Sequence, residues 1–183
     1  DGANIQVRKL NGTLTGFSFI EDTMRADISL SAVERSGLEL KKLKADFKLT
    51  PQLMEFSKLL LQTNNSTLSD YYAMHFKDFN EDMQDFVEKV TIEARIKNSQ
   101  VHSDDITFFA PTLKTWNKKF DLSGKMLGTV SKFKIDDLFL RNGPVTYISG
   151  NLAMKGLPDI DNTWIDFGNG FIQTNSKEIA FIY

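Results

Sequence analysis

The sequence contains no cysteine. Disulfides, thiolate metal sites and cysteine nucleophiles are therefore excluded. Only two histidines occur, His75 and His102, which leaves little material for imidazole general bases or metal ligands. Charge of one sign is also lacking: Lys+Arg is 22 against Asp+Glu 24, for a net charge of -2. A nucleic-acid binder normally carries a basic excess, so no nucleic-acid partner is expected. No stretch approaches the about 18 apolar residues of a membrane-spanning helix. G-x-x-x-x-G-K-[ST], G-x-S-x-G and H-E-x-x-H are all missing. Enzymatic activity and a cofactor are not expected.

What is present is enough for a core: 41% hydrophobic and 25% charged residues over 183 positions, including 15 Phe. The dominant period is two. Met24, Ala26, Ile28 and Leu30 alternate with Arg25, Asp27 and Ser29. Leu43, Ala45, Phe47 and Leu49 alternate with Lys42, Lys44, Asp46 and Lys48. Leu68, Tyr72, Met74 and Phe76 share a face, with Ser69, Ala73, His75 and Lys77 opposite. Ile92, Ala94 and Ile96 alternate with Thr91, Glu93, Arg95 and Lys97. Successive strand side chains point to opposite faces, so each segment has one apolar and one wet face. That pattern indicates antiparallel strands covered on one side only.

Strands are expected at roughly 4–10, 13–20, 23–33, 38–49, 52–62, 66–77, 90–102, 119–131, 134–141, 144–155 and 163–173. Breakers separate them, among them Asn11-Gly12, Ser36-Gly37, Thr50-Pro51, Asn64-Asn65 and Asn142-Gly143-Pro144. No long amphipathic helix follows any strand, which excludes a doubly wound nucleotide fold. One short helix is expected at about 80–89, capped by Asn80, and a helical turn at 104–109. The pattern L-[NS]-G-x-x-x-G occurs at Leu10–Gly16 and at Leu122–Gly128, suggesting stacked similar units. The fold expected is all-β: one antiparallel meander over 1–183, curled like a taco or half-barrel around an apolar inner face, with one or two short helices. The apolar end, Ile179 to Tyr183, suggests a single repetitive β domain excised from a longer protein.

Candidates for chemistry have ordinary explanations. His102-Ser103-Asp104-Asp105 reads as a solvated turn capping the next helical turn, and Asp159-Ile160-Asp161 as turn chemistry after Gly-Leu-Pro. Phe108-Phe109 and Phe17-Ser18-Phe19 read as core packing before they read as the lining of a groove. Substituting His75, His102, Asp104 or Asp105 by Ala is expected to change stability by less than about 0.5 kcal/mol.

From residue 70 a series of segments follows in order: Asp70-Tyr71-Tyr72-Ala73-Met74-His75-Phe76, Asp85-Phe86-Val87-Glu88-Lys89-Val90, Asp105-Ile106-Thr107-Phe108-Phe109-Ala110-Pro111, Leu122-Ser123-Gly124-Lys125-Met126-Leu127-Gly128 and Gly150-Asn151-Leu152-Ala153-Met154-Lys155-Gly156-Leu157-Pro158-Asp159. This order resembles the TamB-like translocation and assembly module proteins of the AsmA-like group. The resemblance covers roughly residues 40–183. It implies a long protein of Gram-negative cells, anchored in the inner membrane, whose repetitive β body crosses the periplasm. It also implies a greasy groove for phospholipid acyl chains, a part in lipid transport and outer-membrane biogenesis, and an Omp85-type outer-membrane barrel as partner through other parts of the parent chain.

The residues expected to line such a groove are Leu43, Ala45, Phe47, Leu49, Tyr72, Met74, Phe76, Ile92, Ala94 and Ile96. Each buried CH2 contributes about 0.8 kcal/mol, so a lipid needs no specific polar contact to bind there. The competing expectation is a closed β-sandwich that serves as a structural or protein-binding module, with this face as its core and no lipid channel.

Overall fold

A computed structural model describes residues 7–34, 39–106 and 117–179. Ten strands form one sheet in strict chain order, every ladder antiparallel. They are β1 (Val7–Ile20), β2 (Thr23–Glu34), β3 (Glu39–Thr50), β4 (Leu53–Gln62), β5 (Thr67–His75), β6 (Thr91–His102), β7 (Lys119–Gly128), β8 (Lys132–Asn142), β9 (Thr146–Lys155) and β10 (Trp164–Gln173). The meander follows from the alternation and short connections, since antiparallel neighbours need only a hairpin between them.

The expected break at Asn11-Gly12 does not occur; both residues lie inside β1. The twelve-residue alternation of β2 supplies a ladder through the break, pairing Leu10 with Ala32 and Gly12 with Leu30. A Cβ on Gly12 would stand 2.3 Å from Leu30 Cδ2, so glycine here makes room for a leucine rather than a turn. The two L-[NS]-G-x-x-x-G copies are not structurally equivalent. Gly124 occupies a bulge at φ 157°, whereas in the first copy the bulge falls at Gly16, φ 60°.

The sheet is neither strongly curled nor closed. Strands meet their hydrogen-bonded neighbours, and among the described residues β1 and β10 are the outermost. This corrects two expectations: the meander does not curl into a taco or half-barrel, because its strands meet only their ladder neighbours, and it is no closed sandwich, because among the described residues there is no second sheet to complete a core. The buried hydrophobic cluster, Ala26, Ile28, Ala45 and Leu59, is formed within the one layer. Leu30, Leu43, Phe47, Phe56, Leu61 and Tyr72 pack against it.

Each of the nine ladders carries a register shift. From β4 to β10 the shifts fall in one row across the sheet. Leu59 pairs with Asp70, Asp70 with Ile96, Ile96 with Gly124, and Leu138 with Gly150. Lys58, Asp70, Asn98, Asp137 and Asn169 on this row all have positive φ. Asn, Asp and Gly tolerate that region; Lys58 is held by an ion pair with Asp46 at 2.7 Å. A bulge bends its strand and increases local twist, so the row bends the sheet without closing it.

The connection from β5 to β6 is helical, in two pieces, α1 (Phe79–Gln84) and α2 (Phe86–Lys89). The N-cap is Asp78, whose carboxylate accepts from the Glu81 N–H at 2.9 Å, rather than Asn80. Asp85, at φ -126°, divides the helix. These turns cover one end of the sheet: Phe76 is buried against Phe79, ring centroids 5.0 Å apart, and Val90 is fully buried. The β7–β8 hairpin holds them there, with Ser131 N–H donating to the Val87 carbonyl at 3.1 Å and its hydroxyl to Glu88 at 2.7 Å. At the other end α3 (Ser103–Ile106) follows β6, and α4 (Ser176–Ile179) follows β10. Residues 107–109 of the second expected turn, with Phe108-Phe109, lie outside the described residues.

Candidate functional site

The register places the candidate residues in rows that run across the strands. Leu49, Met54, Met74 and Ile92 form one such row. Phe47, Phe56, Tyr72, Ala94 and Met126 form the next. Leu43 continues through Leu61 to Leu68, and Ala45 pairs with Ile28. Cross-strand partners point the same way, so these residues share one face. Lys44, Lys48, Glu93 and Arg95 stand on the other, as alternation requires.

The relief of this face comes from side-chain size. Phe47, Phe56 and Tyr72 make an aromatic run over β3, β4 and β5, with centroids 5.1 and 6.3 Å apart. Small residues lie low beside it: Ala45 and Ala94 are 6% and 7% exposed, although among the described residues there is no second sheet. Burial pushes the Tyr72 hydroxyl pKa up, as expected where a phenol stands among hydrocarbon. One residue departs from the expected lining. Phe76 follows the end of β5 and anchors α1 instead of facing the open surface. Ile96 sits at the bulge row opposite Asp70. That aspartate is the polar interruption of the row. Lys97 Nζ stands 3.1 Å from its Oδ2, close enough for an ion pair but without hydrogen-bond geometry, and this oxygen has no hydrogen-bond partner.

The wet face is occupied by its own pairings. Arg95 lies over the Tyr71 ring, 3.9 Å from its centroid, and bonds Glu93 at 3.3 Å. His75 Nε2 is 3.2 Å from Glu93. These longer side chains leave Ala73 with no exposure, between Glu55 and Glu93 in the register. A cleft of about 370 Å3 opens on the same side, beside Gln100, Asp121, Phe139 and Arg141. Its charges are self-satisfied: Arg141 bonds Asp121 Oδ2 at 2.9 Å through Nε, and Gln100 bonds Oδ1 at 2.8 Å. The Arg141 hydrogen bond holds the Asp121 carboxyl below its ordinary range. Among the described residues no group of three His, Asp or Glu side chains is placed to hold a metal. Asp159 caps its own turn, accepting from Asn162 Nδ2 at 2.7 Å.

Asp105 has a role that sequence reasoning missed. Its Oδ2 accepts from Thr63 Oγ1 at 2.6 Å, Ser66 Oγ at 2.5 Å and the Asn65 N–H at 3.2 Å, tying α3 to the β4–β5 turn. Burial pushes its pKa up, but the hydrogen bonds from Ser66, Thr63 and Asn65, with the His102 charge, outweigh it and leave the carboxyl below its usual value. Asp105→Ala is therefore expected to cost about 2 kcal/mol in chemical denaturation, not the fraction expected of a surface turn. A folded-state pKa below the unfolded one contributes stability that is present above the unfolded value. Wild-type should thus lose this increment as pH falls below about 4 and through the lower folded pKa, while Asp105→Ala loses none there. A variant within 0.5 kcal/mol of wild-type at neutral pH, within the usual spread for surface changes, would return Asp105 to the status of a solvated turn.

No match to this chain is found among protein-family models, curated proteins or solved structures. No helix of the described residues is long and apolar enough to cross a membrane.

Proposed function

We propose that this chain is a segment of a periplasm-spanning envelope protein of the TamB-like kind, and that its apolar face forms one wall of a groove for phospholipid acyl chains. The observation that carries this reading is the open sheet itself: Phe47, Phe56, Tyr72 and Met74 stand in continuous rows on one face, with no second sheet over them among the described residues. An apolar surface wider than a few hundred Å2 is unusual on a soluble monomer and marks an interaction site. Hydrocarbon suits it because the face presents almost no polar group, and each methylene laid on it contributes about 0.8 kcal/mol. In this reading the open sheet is itself the wall, and the bulge row sets its bend. The parent is anchored in the inner membrane of a Gram-negative cell and meets an Omp85-type barrel through its other parts. It catalyses no reaction; its task is lipid transport in outer-membrane biogenesis.

Native mass spectrometry of the purified chain tests the proposal. Released from detergent-free preparations, the protein should carry phospholipid of mixed headgroup and chain length, as contact through hydrocarbon alone implies. Protein that remains lipid-free after incubation with phospholipid vesicles would refute it.

A further inference from the structure

We infer that the cleft on the wet face of β6, β7 and β8 is a binding site for a saccharide. Ser123 on β7 pairs with Phe139 on β8, and Asp121 pairs with Gln100 on β6 and Arg141 on β8, so these five side chains share one face. Asn98 joins them from the bulge of β6, at φ 48°. The cleft they line, about 370 Å3, lies in the lower part of the range of about 300–1,000 Å3 usual for small-molecule sites. Lys132 and Lys134 stand on this face of β8 before its bulge, so an aromatic residue at Phe139 departs from the pattern. The ring is held by Tyr147, centroids 5.8 Å apart, and Tyr147 stacks on Phe171 at 5.6 Å. A sugar ring presents a flat C–H face, which an electron-rich aromatic face attracts.

The groups around Phe139 have hydrogen-bonding capacity to spare. The Asn98 and Ser123 side chains form no hydrogen bond among the described residues, and the Gln100 amide uses one donor. Asp121 accepts from Gln100 at Oδ1 and twice from Arg141 at Oδ2. An ionised carboxylate offers about four lone-pair sites, so Oδ1 can accept once more. Together these groups donate and accept, as neighbouring sugar hydroxyls require. Charge selects a neutral ligand: Arg141 and Asp121 satisfy each other, so an anion meets Asp121 and a cation meets Arg141. A purely apolar ligand would strand the amides without water. A nucleobase also stacks on a phenyl ring, but it is read along one planar edge, whereas the polar groups here come from three strands. The site lies on the face opposite Phe47 and Ala94 and does not depend on the acyl-chain reading.

Saturation-transfer-difference NMR on the full chain tests the inference, with maltose, cellobiose, lactose and N,N′-diacetylchitobiose as probes beside adenosine, uridine and phenyl phosphate. At least one disaccharide should bind, with its ring C–H protons receiving the most saturation. Ser123→Leu fills the cleft and should abolish that signal while the protein melts at the wild-type temperature. Phe139→Leu removes the aromatic face and should weaken binding about tenfold. If Ser123→Leu misfolds, Gln100→Leu, which places an apolar side chain where the amide stands, takes its place with the same expected loss. The inference is overturned if none of the four disaccharides binds, if binding survives the folded cleft variant, or if a nucleoside or phenyl phosphate binds and the disaccharides do not.

Discussion

Ala94→Asp should fold and lose its lipid. Ala94 lies in the row of Phe47, Phe56, Tyr72 and Met126, at the low point between Tyr72 and Met126. A carboxylate there stands against the path of a chain lying on the face, and an ion held against hydrocarbon must keep its water or take up a proton. Withdrawing about three methylenes at ~0.8 kcal/mol each weakens binding by roughly 50-fold. Because no second sheet lies over Ala94 among the described residues, the carboxylate can reach water past its neighbours, and the cost to folding is about 1–3 kcal/mol. In a closed core the same uncompensated charge would cost about 3–5 kcal/mol or more. Thermal unfolding of the variant and of an Ala94→Val control, each paired with bound phospholipid by native mass spectrometry, separates the two cases. A folded Ala94→Asp protein that retains wild-type lipid would remove this face from the function.

Gly128→Val should be the most damaging single change to the fold. Gly128 ends β7 at φ 141°, where side chains are rarely tolerated, and a Cβ would stand 2.3 Å from the Lys132 carbonyl oxygen and 2.6 Å from Phe133 Cα. Both are backbone atoms, so the hairpin itself has to move. That hairpin carries Ser131, which bonds Val87 and Glu88 and accepts the Gly156 N–H at 2.8 Å. Displacing it releases the helical cap over Phe76 and Val90. Strain and lost contacts together are expected to cost about 3–5 kcal/mol. Gly168→Ala is the control: nothing lies within 4 Å of its Cβ, and a change within about 0.5 kcal/mol is expected. Urea denaturation of the two variants measures both, and equal effects would contradict the steric account.

Alternation made the strands from β2 to β10 and their faces legible, because a period of two fixes which side chains lie together once register is set. Other features were not legible. Asn11-Gly12 has the composition of a turn, yet β2 offers a partner through it, and tertiary pairing overrode the local signal. The bulge row was written in Asn98, Asp137 and Asn169, polar residues in the middle of strands, but bulges leave only that faint trace. Asp105 takes its partners from Thr63, Asn65 and Ser66, about forty residues earlier, and no spacing rule connects them. The candidate face was readable as a face. Its lack of cover was not, since the same alternation would serve a sandwich.

Photo-crosslinking addresses the central claim most directly. A photoreactive amino acid placed singly at Phe47, Met74 or Ile92 on the apolar face, and at Lys44, Lys48 or Arg95 on the wet face, is irradiated in the presence of radiolabelled phospholipid vesicles. The expected result is labelled adducts at the three apolar positions and none at the three charged ones. Adducts on both faces alike, or on neither, would contradict the assignment of this face to acyl chains.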